Sequence, residues 1–212
     1  MDRHLIDIKK TDQDMNFGGK SGTDHTPNSV ELVSQHAVSH GKRKRFGFVE
    51  DDFIVYPAPG VGQIVSIEEQ IVAGTSLELF VIYFTKAKLT VRVPTRKAAG
   101  VGMRSPSDAA LIHCVKRILG EPPRRSRGNW SRLALEYGSK INSGDIAAIT
   151  EVVRDLYRPG VDSGQSFSER QLYETALDRL SEEMALVDGT SREQSVENVE
   201  GLLKAGKLKR IA

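Results

Sequence analysis

The chain has 212 residues, enough for one or two domains, with 39% hydrophobic and 27% charged residues. Lysine and arginine number 30 against 28 acidic residues, and the net charge of +2 excludes a globally basic nucleic-acid binder, so any electrostatic targeting must be local. No apolar run approaches the roughly 20 residues of a membrane span, and residues 1–20 lack the apolar stretch of a secretory signal. The single Cys114 offers neither an internal disulfide nor a cysteine-type zinc site, so a cytoplasmic protein is expected.

Residues 1–45 combine 8 basic and 6 acidic residues with Gly, Ser, Thr, Asn and His and almost no apolar periodicity, the composition of a disordered arm. The arm ends in Lys42-Arg43-Lys44-Arg45, a run that either contacts phosphate or is a solvated linker. Gly19-Lys20-Ser21 imitates the end of a phosphate-binding loop. Asp14 stands where that loop needs its first glycine, however, and no strand precedes it.

Residues 46–104 switch to short β-branched and aromatic runs: Phe53 to Tyr56, Gly62 to Ile67, Leu77 to Phe84 and Leu89 to Val93. Pro57-Ala58-Pro59-Gly60, Ala73-Gly74-Thr75-Ser76 and Thr85-Lys86-Ala87-Lys88 separate them with breaks of hairpin length. Four or five antiparallel strands in so short a stretch predict a small β-barrel, marginal alone and in need of a neighbour to pack on.

From residue 105 to 212 the period is helical. Ser105-Pro106 predicts a cap followed by proline at the first helical position, with a stripe of Leu111, Val115, Ile118 and Leu119 that stops at Gly120. Asn129 caps a helix to about Asn142, and Asp145 caps another from Ile146 to Arg158, ended by Pro159-Gly160. Ser168 with Gln171 reads as a capping box opening a helix to about Val187, its stripe being Leu172, Ala176, Leu180 and Met184; Ser191 with Gln194 opens the last. The fold class is therefore α+β: a disordered arm, a small antiparallel barrel and a compact five-helix domain.

Catalytic patterns are missing. The histidines at 4, 25, 36, 40 and 113 are scattered, and His36 and His40, though four apart, lack the Glu that a zinc hydrolase uses as base. Cys114 falls beside the first helix's stripe and is expected to pack in the core. Gly60-Val61-Gly62 lacks a third glycine and runs straight into a strand, and no nucleophile elbow occurs. No enzyme, metal or cofactor is expected. The informative segment is Lys116 to Arg132, where Lys116, Arg117, Arg124, Arg125, Arg127 and Arg132 face a single acid, Glu121. It leads to Trp130, the only tryptophan, beside a helix cap whose amides favour phosphate. Trp130 has two readings. An indole buries about 150 to 250 Å² and is most simply core, yet among Arg127, Gly128, Asn129, Ser131 and Arg132 it also suits a wedge against an opened base step.

Together, Val55-Tyr56-Pro57, Gly60-Val61-Gly62 and Thr90-Val91-Arg92-Val93-Pro94, followed by Asn129-Trp130-Ser131-Arg132, Ser143-Gly144-Asp145 and Glu151-Val152-Val153-Arg154-Asp155-Leu156, make the chain resemble the CarD/CdnL transcription regulators of bacteria. The resemblance runs from about Phe46 to Lys204. It implies a Tudor-like barrel over residues 46–104 that docks on the RNA polymerase β subunit through Val81, Arg92 and Pro94. Arg92, between Val91 and Val93, alternates onto the solvent face of its strand, whereas Val81 also suits ordinary barrel core. The resemblance further implies a helical domain over residues 105–212 that contacts promoter DNA at the upstream edge of the melted bubble. Trp130 would enter the minor groove there and Arg132 would hold an adjacent phosphate, while the basic run at Arg124, Arg125 and Arg127, read from its charge, is expected to add DNA contacts that compensate for a cation missing after the motif. Leu133 and Leu135 depart from the basic or polar residues that often follow this motif. A monomer of the cytoplasm, delivered to the nucleoid by polymerase, is implied, and the competing reading is a protein adaptor without DNA contact.

Overall fold

The computed structural model describes residues 43–124, 129–159 and 164–208. The arm, with the phosphate-loop imitation and His36 and His40, lies outside them apart from its last three residues. Four strands, β1 (Phe53–Tyr56), β2 (Gly60–Val72), β3 (Thr75–Phe84) and β4 (Leu89–Pro94), form an antiparallel half-barrel in the order β1-β2-β3-β4. Five helices follow: α1 (Ala109–Leu119), α2 (Trp130–Asn142), α3 (Ile146–Leu156), α4 (Phe167–Asp188) and α5 (Arg192–Leu208).

Alternation assigns the two sheet faces. Ile64, Ile67, Phe80, Ile82, Phe84, Val91 and Val93 share one core with Ala98 and Met103, and Phe48 closes it edge to face against Phe80, ring centroids 5.9 Å apart. A register shift between Ile64 and Ser66 bends β2 into the half-barrel. Gly62 is required by space: a Cβ there would lie 2.7 Å from the Phe84 ring and 2.8 Å from Ile82.

Strand β2 extends well beyond the expected Ile67. Glu68, Glu69 and Gln70 interrupt the apolar pattern without ending the ladder, because an exposed two-stranded hairpin needs only backbone pairing to continue. Its turn is Ala73-Gly74, both at positive φ (50° and 77°), as the twist of a tight hairpin demands.

Two helix starts differ from the sequence expectation. Helix α1 is capped by Asp108, whose side chain accepts from the Leu111 N–H, and not by Ser105, because Ser107 is drawn into a buried bond with Glu183. The buried stripe is accordingly Ile112, Val115 and Leu119; Leu111 is exposed, Ile118 is only partly buried, and Cys114 is half-buried and not core. Helix α4 opens on a capping box of Ser166 and Glu169, two residues before the expected pair, while Ser168 bonds elsewhere. Helix α3 ends at Leu156 because Tyr157 is already extended ahead of Arg158-Pro159. The caps Asn129 and Asp145 and the reciprocal Ser191–Gln194 bonds are as expected.

One helical core contains Ile112, Val115, Tyr137, Ile141, Val152, Val153, Leu180, Met184, Val199 and Leu203, among others. The sheet packs on this bundle through polar ties. Arg104 pairs with β1 by a backbone bridge to Val55, and its guanidinium grips Glu183 twice, at 2.6 and 2.8 Å, and the Gly144 carbonyl. Glu183, 3% exposed, also accepts from the Ser107 N–H and hydroxyl. Arg179 donates to the carbonyls of Pro57 and Ile141, and Asp178 accepts from both Lys86 and Arg192. The neighbour a small sheet needs is thus the chain's own bundle.

Candidate functional site

Two surfaces carry the residues singled out by sequence. The first is the outer face of the sheet, away from the core. Register places Val81 opposite Arg92 and Leu79 opposite Pro94, with Ser66 and Glu68 across β2. Arg92 is exposed, 3.8 Å from Glu68, as alternation requires. Val81 is buried, yet it lies outside the sheet's core cluster, flanked by Arg92 and Ser66. Neither the core cluster nor free surface describes it: it is an apolar residue buried between the polar neighbours Arg92 and Ser66.

Near this face the basic run at the arm's end is partly committed. Arg45 Nε donates to Glu78 at 2.6 Å, and the same carboxylate accepts from the Thr95 hydroxyl beside Pro94. Arg45 is thus engaged in an ion pair with Glu78 while its side chain stays 41% exposed, and Arg43 and Lys44 are exposed.

The second surface is where the amino termini of α2 and α4 meet. Trp130 is the first residue of α2; it is half-buried, packed against the helical core, and its indole Nε1–H donates to Ser168 Oγ at 3.0 Å. Asn129 caps the helix from Ser131, and the first turn has no acid to cancel its positive end. Arg132 is exposed, and Leu135 is 77% exposed. Phe167, immediately before Ser168, is 79% exposed. Sequence reasoning did not single it out, because the expected helix start at Ser168 left it in a loop with no partner. Its one signal was an aromatic residue at the start of a polar, charged turn.

The basic segment is also reduced. Lys116 pairs with Asp188 at 2.8 Å and Arg117 with Glu121 at 2.5 Å, so two of the six cations serve helix surfaces. Arg124 is exposed, its backbone N–H bonded to Asp155; Arg125 and Arg127 lie outside the described residues. No group of three or more His, Cys, Asp and Glu that could hold a metal occurs among the described residues, nor a helix long and apolar enough to cross a membrane.

A half-barrel locked onto a five-helix bundle, each carrying its own exposed surface, defines a two-part α+β module. The chain matches the model of the CarD-like/TRCF RID domain over residues 48–105 and that of the CarD C-terminal domain over residues 114–200. It is 28% identical over 143 residues to the Bacillus subtilis (strain 168) protein named "Putative transcription factor YdeB", which covers 68% of this chain and 94% of that protein. The two models stand in tandem over more than half of the sequence, and the chain belongs to the CarD/CdnL family of bacterial transcription regulators.

Proposed function

We propose that the chain is a non-catalytic regulator that docks on the RNA polymerase β subunit and stabilises the open promoter complex. The observation that carries this reading is the tandem of family matches, a polymerase-type sheet module followed by the CarD helical module. The sheet's outer face, with Val81 under Arg92 and Pro94, is the docking surface. Trp130 is the wedge at the upstream edge of the bubble, entering the minor groove, with Arg132, Arg124, Arg125 and Arg127 on phosphates. Its half-exposed indole at an uncompensated helix terminus suits that role, and Phe167 supplies a further apolar surface next to it.

The chemistry is differential binding. Unstacking a base step costs roughly a few kcal/mol, and less where the duplex is already melted, so an inserted aromatic favours the open state by the difference. Docking on polymerase supplies a high effective concentration, so near-neutral net charge is no obstacle. The protein acts as a cytoplasmic monomer that reaches the nucleoid with polymerase. The indole's bond to Ser168 and its packing are also what an adaptor without DNA contact would need. The test is retention on polymerase together with open-complex lifetime. Arg92→Glu is expected to abolish retention, and Trp130→Ala to keep retention but shorten the lifetime several-fold. Retention with an unchanged lifetime in Trp130→Ala leaves only the adaptor.

A further inference from the structure

We propose that Phe167 is a second aromatic contact on promoter DNA, stacking on a base that the melted upstream edge leaves unpaired; this rests on the DNA-contacting role proposed above. The starts of α2 and α4 are built alike. Each has a polar cap, Asn129 or Ser166, then an aromatic residue at the first helical position, Trp130 or Phe167, and then a serine. The Trp130–Ser168 bond joins the two starts at 3.0 Å, and Ser168 follows Phe167 directly, so the backbone at Phe167 keeps a fixed place beside the indole. The seats of the two rings differ. Trp130 is half-buried and packed against the helical core, whereas no large apolar side chain among the described residues is more exposed than Phe167.

Phe167 has no structural task at the helix start. The capping box is complete without it: the Glu169 N–H donates to Ser166 Oγ, and the Ser166 N–H to Glu169 Oε2. A hydrophobic staple would pair the residue before the cap with the fourth helical one, and those are Gln165 and Arg170. On the helix surface the ring's neighbours stand three and four residues on, Arg170 and Gln171, both exposed. Neither Arg170 nor Arg132, in the first turn of α2, makes an ion pair among the described residues, and the one acid of the first turn of α4, Glu169, is spent on the capping box. The first acid on the face of Phe167, Glu174, is two turns away. A single open ring fringed by a cation and an amide fits a nucleotide, with the ring on a base and the guanidinium on a phosphate. A protein partner would be met by a wider apolar patch. The seats divide the work: the packed indole parts a base step, and the open ring receives a base so released.

The test compares the wild-type chain with Phe167→Ala, Phe167→Trp and Trp130→Ala on the polymerase–promoter complex, using promoters that carry a single abasic site at successive positions of the upstream edge. Phe167→Ala is expected to stay bound to polymerase, to melt at the wild-type temperature and to shorten the open-complex lifetime about five-fold, the lower end of what one stacked base contributes. Phe167→Trp keeps a stacking face and restores the lifetime. On one abasic template the difference between wild type and Phe167→Ala disappears, at a position other than the one where Trp130→Ala ceases to matter. A wild-type lifetime with Phe167→Ala overturns the inference. So does loss of its retention on polymerase, which places the ring on protein, and so does a loss of equal size on every abasic template. If the wild-type chain fails to lengthen the lifetime, the proposed function itself falls; a Trp130-dependent lengthening that is indifferent to Phe167 overturns only the second contact.

Discussion

Helix α4 joins two surfaces made in opposite ways. Glu183, at its sheet-facing part, is buried and accepts four hydrogen bonds, two from Arg104 and two from Ser107. Ser168, about 22 Å away along the same helix, bonds Trp130 in a setting where Phe167 and Leu135 stand open to solvent. Charge is sunk and saturated at the first place; at the second, neutral polar groups cap the helices and hold the indole. The difference teaches how a small regulator could couple two contacts: with the junction tied by buried polar bonds, docking of the sheet, if it occurs as proposed, would fix the direction in which the helices point. The far end keeps apolar surface available for a partner.

The sharpest way to break this comparison is Glu183→Ala. It leaves both Ser107 donors without their acceptor and strips the Arg104 guanidinium of its carboxylate partner, leaving it the Gly144 carbonyl, a loss expected to cost about 3–5 kcal/mol in urea unfolding. A midpoint close to wild type would mean that the junction is no stiffer than the rest. Ser168→Ala tests the opposite end. It removes the hydroxyl's bonds to the Trp130 indole and to the Ser166 hydroxyl, each between neutral groups and each expected to cost about 0.5–1.5 kcal/mol in the same measurement, while the sheet junction stays intact. A loss as large as that of Glu183→Ala would erase the contrast.

The smallest effect is expected at Glu182, beside Glu183, and it has the reverse sign. Burial pushes its carboxyl above the ordinary value, opposed by Lys86, the Val61 backbone, Arg192 and Arg179. A raised folded-state value means that the folded protein holds the proton more tightly than the unfolded one. Stability therefore falls as pH rises from the ordinary carboxyl range through the folded value. Glu182→Gln removes that titration, so its melting temperature should exceed wild type at neutral pH, with the gain shrinking toward acid. A constant difference across pH would show that the carboxylate is no worse off buried than in water.

Local chemistry was legible in the sequence. The β-branched runs gave the strands, and Asn129, Asp145 and Ser191 marked helix starts because an N-cap needs only its own side chain and the next turn. Where two local solutions compete, tertiary contacts decide. Ser166 and Ser168 each precede a suitable acid or amide by three residues, and the choice goes to Ser166 because Ser168 serves Trp130. Ser105 lost its cap role in the same way, through the demand of Glu183 on Ser107. The positions of Trp130, Arg92 and Val81 were accessible through motif and alternation. The Arg124–Asp155 bond and the Glu183 junction were not, since they bring together residues 31 and 76 positions apart that carry no shared periodicity.

The seat of Trp130 has an optical consequence. It is the only indole in the chain, whereas the tyrosines at 56, 83, 137, 157 and 173 are spread over sheet and bundle. Selectively excited emission from the free protein therefore comes from a single site, the seam between the starts of α2 and α4, with a hydroxyl on the indole nitrogen and solvent on part of the ring. Any event that pulls the ring from Ser168 or stacks it on a base must change that emission. The molecule thus carries an intrinsic, label-free reporter at the surface proposed to contact DNA.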